Sequence, residues 1–177
     1  MDAYESLVTR RSIRYYKKQK VEEEKVEKIL RAAMQAPSAR NYQPWHFIIL
    51  DEEKTLEAVG KLHPYGDILR RAPLGILICG DLEKENTIDY LVEDCSAATE
   101  NILIGAHSLD LGACWLGIYP REKRVQKIKE YFNLPEQIIP ISLVATGYPA
   151  EEKKLTSRFK ESRIYYNGWK KNKSGSK

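Results

Sequence analysis

Long hydrophobic runs are missing from this 177-residue chain. No apolar stretch approaches the ~20 residues that a membrane-spanning helix needs, and the opening MDAYESLVTRRSIR holds no apolar signal core. A secreted or membrane protein is therefore not expected, and the chain reads as cytoplasmic. Cysteine is scarce: Cys79, Cys95 and Cys114 are odd in number, far apart and form no CxxC pair. They read as buried thiols of a reducing compartment, not as a disulfide framework. His46, His63 and His107 are equally scattered, which leaves no ligand set for zinc. Glycine-rich phosphate loops are lacking too, since neither GxGxxG nor a Walker A sequence occurs. GxSxG, HExxH and a Cys/His nucleophile pattern are also absent. An enzyme built on such a chain would leave its chemistry to a bound cofactor.

What is present is an uneven charge. Residues 1–20 carry six basic and two acidic side chains, residues 21–150 carry 14 and 20, and residues 151–177 carry nine and three. Two cationic ends thus flank an acidic middle. A nucleic-acid-binding domain would use both ends, but the acidic middle and the lack of a recognisable binding motif argue against it. Length places the chain at single-domain scale. The domain is expected over residues 1–169, with 170–177 (KKNKSGSK) a basic, disordered tail.

Periodicity gives the elements. Residues 22–35 step as an amphipathic helix through Val26, Ile29, Leu30, Ala33 and Met34, stopping before Pro37. Further helices are expected at 52–62, 89–109 and 121–132. WHFIIL (45–50), Leu74 to Cys79, ACWLGIY (113–119) and IIPISLVATG (138–147) read as strands. Four or five strands alternating with helices make an α+β or α/β layered domain. The helix at 89–109 is apolar on more than one face. It is either an ordinary core helix or is covered by a second copy in an obligate homodimer.

Four constellations could carry chemistry. Arg10-Arg11-Ser12-Ile13-Arg14 sets three guanidinium forks and a hydroxyl in five residues, which suits phosphate or a plain solvated turn. Pro37-Ser38-Ala39-Arg40-Asn41-Tyr42-Gln43 offers amides that can read the edge of a planar heterocycle, or simply forms a polar connection. Cys114-Trp115-Leu116-Gly117 places a glycine at a strand end, where backbone can approach a ligand closely. The last is the basic segment with Lys153, Lys154, Arg158, Lys160 and Arg163.

Together, RRSIR, APSARNYQPWHF, DCSAATENILIGAHSLDLGACWLGIYP and GYPAEEK…SRF resemble the nitroreductase family in order, from about residue 4 to 169. The chain looks like its short-chain branch. The resemblance implies an α+β fold, a mostly antiparallel central sheet flanked by helices, and an intertwined homodimer with FMN at the interface. It implies an FMN-dependent oxidoreductase that moves hydride from NADH or NADPH through FMN N5 to a small acceptor such as a nitroaromatic or quinone, in ping-pong order. A reductive dehalogenase or flavin-modifying enzyme on the same scaffold is the alternative. By position, Arg10, Arg11 and Ser12 match phosphate and ribityl ligands, and Arg14 matches the residue that stabilises the reduced pyrimidine side. Pro37, Ser38 and Ala39 would come from the other subunit, with Asn41 and Gln43 in the same loop. Trp115, Leu116 and Gly117 match the segment passing N5, and Arg158 matches a cation closing on the phosphate. No side chain acts as acid or base, and neither metal, membrane nor nucleic acid is implied. Longer relatives carry an inserted helical region for which residues 62–90 leave little room. They also carry a flavin-contacting cation before the second strand, for which Arg70 and Arg71 both qualify.

Overall fold

The computed structural model describes residues 1–169, so the tail expected at 170–177 lies outside the described residues. In chain order the elements are α1 (Ala3–Thr9), α2 (Glu23–Met34), a 3-10 turn (Ala39–Asn41), β1 (Trp45–Leu50), α3 (Glu53–Lys61) and α4 (Asp67–Arg70). They continue as β2 (Leu74–Asp81), α5 (Ile88–Ser108), β3 (Gly112–Gly117), α6 (Glu122–Phe132), β4 (Ile138–Gly147) and a last 3-10 turn (Glu161–Arg163). Local chemistry sets several ends. The Asp2 carboxylate caps α1 by accepting from Glu5 N at 2.8 Å. Asn133 closes α6 in the left-handed conformation (φ 49), which asparagine tolerates better than most residues.

The strands form one sheet in the order β1-β2-β4-β3, every neighbouring pair antiparallel. This settles the layered domain as α+β. All eight residues of β2 are buried, because both faces of the sheet are covered. On one face Ile76, Ile78 and Val144 meet α2 and α5; on the other Leu77, Leu143 and Ala145 meet α3, α4 and α6.

The long helix α5 finds its covers within the chain. Leu91, Cys95, Ala98, Ile102 and Ala106 are fully buried between the sheet and α2 in a single subunit. One apolar face of α5 is therefore covered within the chain, whereas Val92, Ala97 and Ile104 on its other side are half-buried. Exposed apolar area lies elsewhere, on Tyr4 (75% exposed) and Leu7 (55%) of α1 and on Leu155 (65%) and Phe159 (74%) near the C-terminus. One buried polar contact joins α5 to the sheet. Thr99 Oγ1 donates to Cys95 O at 2.7 Å and accepts from Ser142 Oγ at 2.8 Å. Ser142→Ala should cost about 1 kcal/mol of unfolding free energy. In the Thr99→Val background it should cost less, a coupling that urea denaturation of the double-mutant cycle reads directly.

Candidate functional site

The N-terminal arginines are placed by two docking contacts. Thr9 Oγ1 lies 2.8 Å from His107 Nε2, fixing the end of α1 on α5. The chain then runs beside β3, where Ser12 bridges Ala113 in parallel and Ile13 N donates to Ala113 O at 3.0 Å. Residues 14–17 lie along residues 148–151. Arg14 N donates to Glu151 Oε1 (2.6 Å), Ala150 N to Tyr15 O (2.9 Å) and Lys17 N to Tyr148 O (2.8 Å). Arg11 Nη2 reaches Thr156 O at 3.1 Å, two residues before Arg158. The two cationic ends of the sequence therefore meet in space, although Arg158 itself is exposed.

Electrostatics in this corner carry the mark of the cluster. Burial and then the charge of Arg10 hold the His107 imidazole below its usual range. Burial raises the Cys114 thiol against the opposing pull of Arg14 and Arg10. Arg10 meets one carboxylate, Glu100, at 3.5 Å. Arg11 Nε is buried and unpartnered among the described residues.

At β3 the sheet ends. Ile118 N donates to Ile141 O at 3.2 Å, so the backbone groups of Ala113, Trp115 and Gly117 turn away from β4, toward the open edge. The Ala113 carbonyl is taken by Ile13. The N–H groups of Trp115 and Gly117 face outward with no partner among the described residues. A Cβ built on Gly117 would meet nothing within 4 Å. The Leu116 side chain points into the core and its backbone groups turn toward β4, so the open edge is offered by its neighbours Trp115 and Gly117.

The loop at 37–43 forms a second group. Arg40, Asn41 and Gln43 all adopt positive φ (52, 57 and 48). Such strain persists where surrounding contacts hold it, and it concentrates at functional sites. Here Gln43 N donates to Ser38 Oγ (2.9 Å), Gln43 Nε2 to Asn41 Oδ1 (3.2 Å) and Ala39 N to Asp94 Oδ1 (2.9 Å). Arg40 Nη2 lies 3.7 Å from the fully buried Glu85. Pro37, Asn41 and Gln43 are exposed, Ser38 and Ala39 half-buried. No hydrogen bond or ion pair among the described residues links this loop to residues 10–14. Its anchor Asp94 and the α1 anchor His107 are roughly 20 Å apart along α5 at the usual helical rise.

Asp94 makes the loop sensitive to pH. Burial, and the nearby Glu85, raise its carboxyl above the usual 3.8, against the Ala39 N–H that favours the ionised form. The folded chain then holds this proton at pH values where the unfolded chain has released it. Its contribution to stability falls as pH rises above that ordinary value. Asp94→Asn keeps an acceptor for Ala39. Its melting temperature relative to the parent should rise between pH 4 and pH 7, a trend that thermal scans across that window would check.

Several residues of this corner carry no signal in the sequence. His63 Nε2 donates to Gly117 O at 2.9 Å, and Arg124 Nη1 donates to the same oxygen at 2.7 Å. Of the two cations before β2, Arg70 is held by Glu57 (2.6 Å) and Asp67 (2.8 Å), whereas Arg71 lies over the Tyr15 ring, 4.9 Å from its centroid. A cleft of about 590 Å³ lined by Tyr15, Lys17, Lys20, Arg71 and Pro73 opens beside them, without residues 37–43 or 115–117.

Comparison with known proteins agrees with this architecture. A 46% identical relative from Methanothermobacter thermautotrophicus, named "Putative NADH dehydrogenase/NAD(P)H nitroreductase", aligns over 96% of this chain and 88% of its own. An FMN-dependent nitroreductase from Clostridium difficile R20291 superposes with a TM-score of 0.87 at 34% identity, covering 94% of this chain and 99% of that one. A Desulfovibrio desulfuricans structure solved in complex with FMN superposes at 0.82 with 28% identity, covering 96% and 98%. The family description "Nitroreductase family" matches residues 7–64 and 56–148. With its antiparallel sheet, its arginine cluster beside an open strand edge and these matches, the chain belongs to the nitroreductase family.

Proposed function

We propose that this chain is an FMN-dependent oxidoreductase that draws on NADH or NADPH and reduces a small acceptor such as a nitroaromatic or quinone. One observation carries the reading: the Ser12–Ala113 bridge sets the arginine cluster against a strand whose outward Trp115 and Gly117 N–H groups have no partner among the described residues. These residues fit the cofactor. A phosphate needs cationic forks, and Arg10 and Arg11 supply them with Ser12. A flat ring edge needs backbone donors and room, and Trp115 and Gly117 supply both. When bound, FMN supplies the group that accepts and returns hydride.

The chain's own residues bind and orient. Arg10, Arg11 and Ser12 hold the phosphate and ribityl end, with Arg158 closing from the C-terminal segment that Arg11 already contacts. Arg14 sets a permanent charge toward the pyrimidine side, favouring the form with more negative charge. Arg71, not tied to a carboxylate in the way Arg70 is, serves as the second cation there. Pro37, Ser38, Ala39, Asn41 and Gln43 lie away from their own arginine cluster, so they complete the site of a second copy in a homodimer. The exposed apolar side chains of α1 and the C-terminal segment give that dimer its contact surface.

The purified protein should be yellow, or become so on adding FMN, and NADH or NADPH should bleach the flavin band anaerobically. A colourless protein that takes up no FMN would sink the reading.

A further inference from the structure

Gly117 ends β3 at the point where the chain leaves the ladder. Its residue type gives the backbone there more freedom than any other would. Its carbonyl turns away from β4, to the same open edge as the Trp115 and Gly117 N–H groups. Two side chains from different elements meet that oxygen. His63, just after α3, donates from Nε2 at 2.9 Å, and Arg124, on α6, donates from Nη1 at 2.7 Å.

The histidine is itself fixed. Tyr65 N donates to its Nδ1 at 3.1 Å, which leaves the proton on Nε2 and aims it at Gly117. Burial, aided by the Arg124 guanidinium 3.4 Å away and opposed by the Gly117 hydrogen bond, keeps this ring below the usual histidine range and therefore neutral at pH 7. His63 is a fixed neutral donor, and Arg124 a charged one. No carboxylate forms an ion pair with Arg124 among the described residues.

We infer that His63 and Arg124 are positioning residues that clamp the Gly117 carbonyl and so hold the Trp115–Gly117 edge in one orientation toward the FMN site. The inference rests on the FMN reading above. It adds two residues, from α6 and from the turn after α3, that touch no reacting atom and act through the strand end. Arg124 also leaves a positive charge at that edge, which favours the more negative, reduced cofactor over the oxidised one.

The test uses the full-length protein, freed of FMN and titrated with it by flavin fluorescence, plus the reduction potential of the loaded protein against reference dyes. His63→Ala should weaken FMN binding about tenfold, the scale of one lost hydrogen bond to a fixed group. His63→Gln, whose amide nitrogen can donate at a similar reach, should recover most of that loss. Arg124→Ala should lower affinity for reduced FMN about tenfold more than for oxidised FMN, a fall in potential of about 30 mV for a two-electron couple, and Arg124→Lys should restore part of it. If wild type takes up no FMN, the functional reading fails. If wild type binds FMN but both alanine variants keep its affinity and potential within twofold and 10 mV while losing thermal stability, the clamp serves the fold alone and the inference is overturned. Should His63→Ala not fold, Arg124→Ala and His63→Gln decide the question by the same two readouts.

Discussion

Arg10→Ala is expected to weaken FMN binding by ten- to a hundredfold while moving the apoprotein's unfolding midpoint little. The two effects separate because Arg10 has few duties inside the chain. Its ion-pair partner among the described residues is Glu100 at 3.5 Å, with 17% of the Arg10 side chain and 44% of the Glu100 side chain exposed. A partly exposed pair of this kind contributes about 0–1 kcal/mol, and less in salt. A guanidinium hydrogen bond to a phosphate is worth about 1.5–3 kcal/mol, or the tenfold to hundredfold stated. Glu100→Gln supplies the opposite control. Freed of its carboxylate, Arg10 should hold FMN at least as tightly as before. Fluorescence titration of the apoprotein at two salt concentrations would read both variants. An Arg10→Ala affinity within threefold of the parent would remove this residue from the phosphate site. Arg158→Ala should show a similar loss with an even smaller change in midpoint, since Arg158 is exposed in the folded chain.

Strongly periodic segments were legible from sequence because packing enforces the period. The helix expected at 22–35 is α2 at Glu23–Met34, and WHFIIL is β1 residue for residue. The helix expected at 89–109 is α5 at Ile88–Ser108. The four-residue α4 escaped because so short a turn has no period to display. Among candidate site residues, the two cationic ends were visible as an uneven charge, while their convergence was implied only by the family resemblance. His63 and Arg124 were not, since their shared partner is a backbone carbonyl that any residue type could offer. Asp94 did leave a signal. It sits on the same stripe of α5 as Leu91 and Ala98, an acid among buried apolar neighbours. A buried carboxylate there needed a donor, and Ala39 N is that donor.

Gly112 links these levels, and it yields the second large effect. Helix α5 stops at Ser108, and Gly112 is the first residue of β3, paired with Gly147. A Cβ at position 112 would fall 2.6, 2.7 and 2.8 Å from the Cβ, Cγ1 and Cγ2 atoms of Ile13. Ile13 cannot yield easily: it is β-branched, 8% exposed, and its N–H is bound to Ala113 O at 3.0 Å. Gly112→Ala must therefore push residues 12–14 off the strand, and overpacking of this kind costs about 1–3 kcal/mol. The displaced segment carries Ser12 and Arg14, so FMN affinity should fall at least tenfold along with stability. Urea denaturation should show a lower midpoint at an unchanged slope. Gly105→Ala is the matched control, because a Cβ there meets Ala32 Cβ at 3.4 Å and the position lies within α5. That variant should gain about 0.5–1 kcal/mol from helix propensity and leave FMN binding unchanged. Shortening Ile13 to alanine in the Gly112→Ala chain should return much of the lost affinity. A Gly112→Ala protein that is destabilised yet binds FMN as the parent does would mean that Ser12 and Arg14 do not owe their placement to this contact.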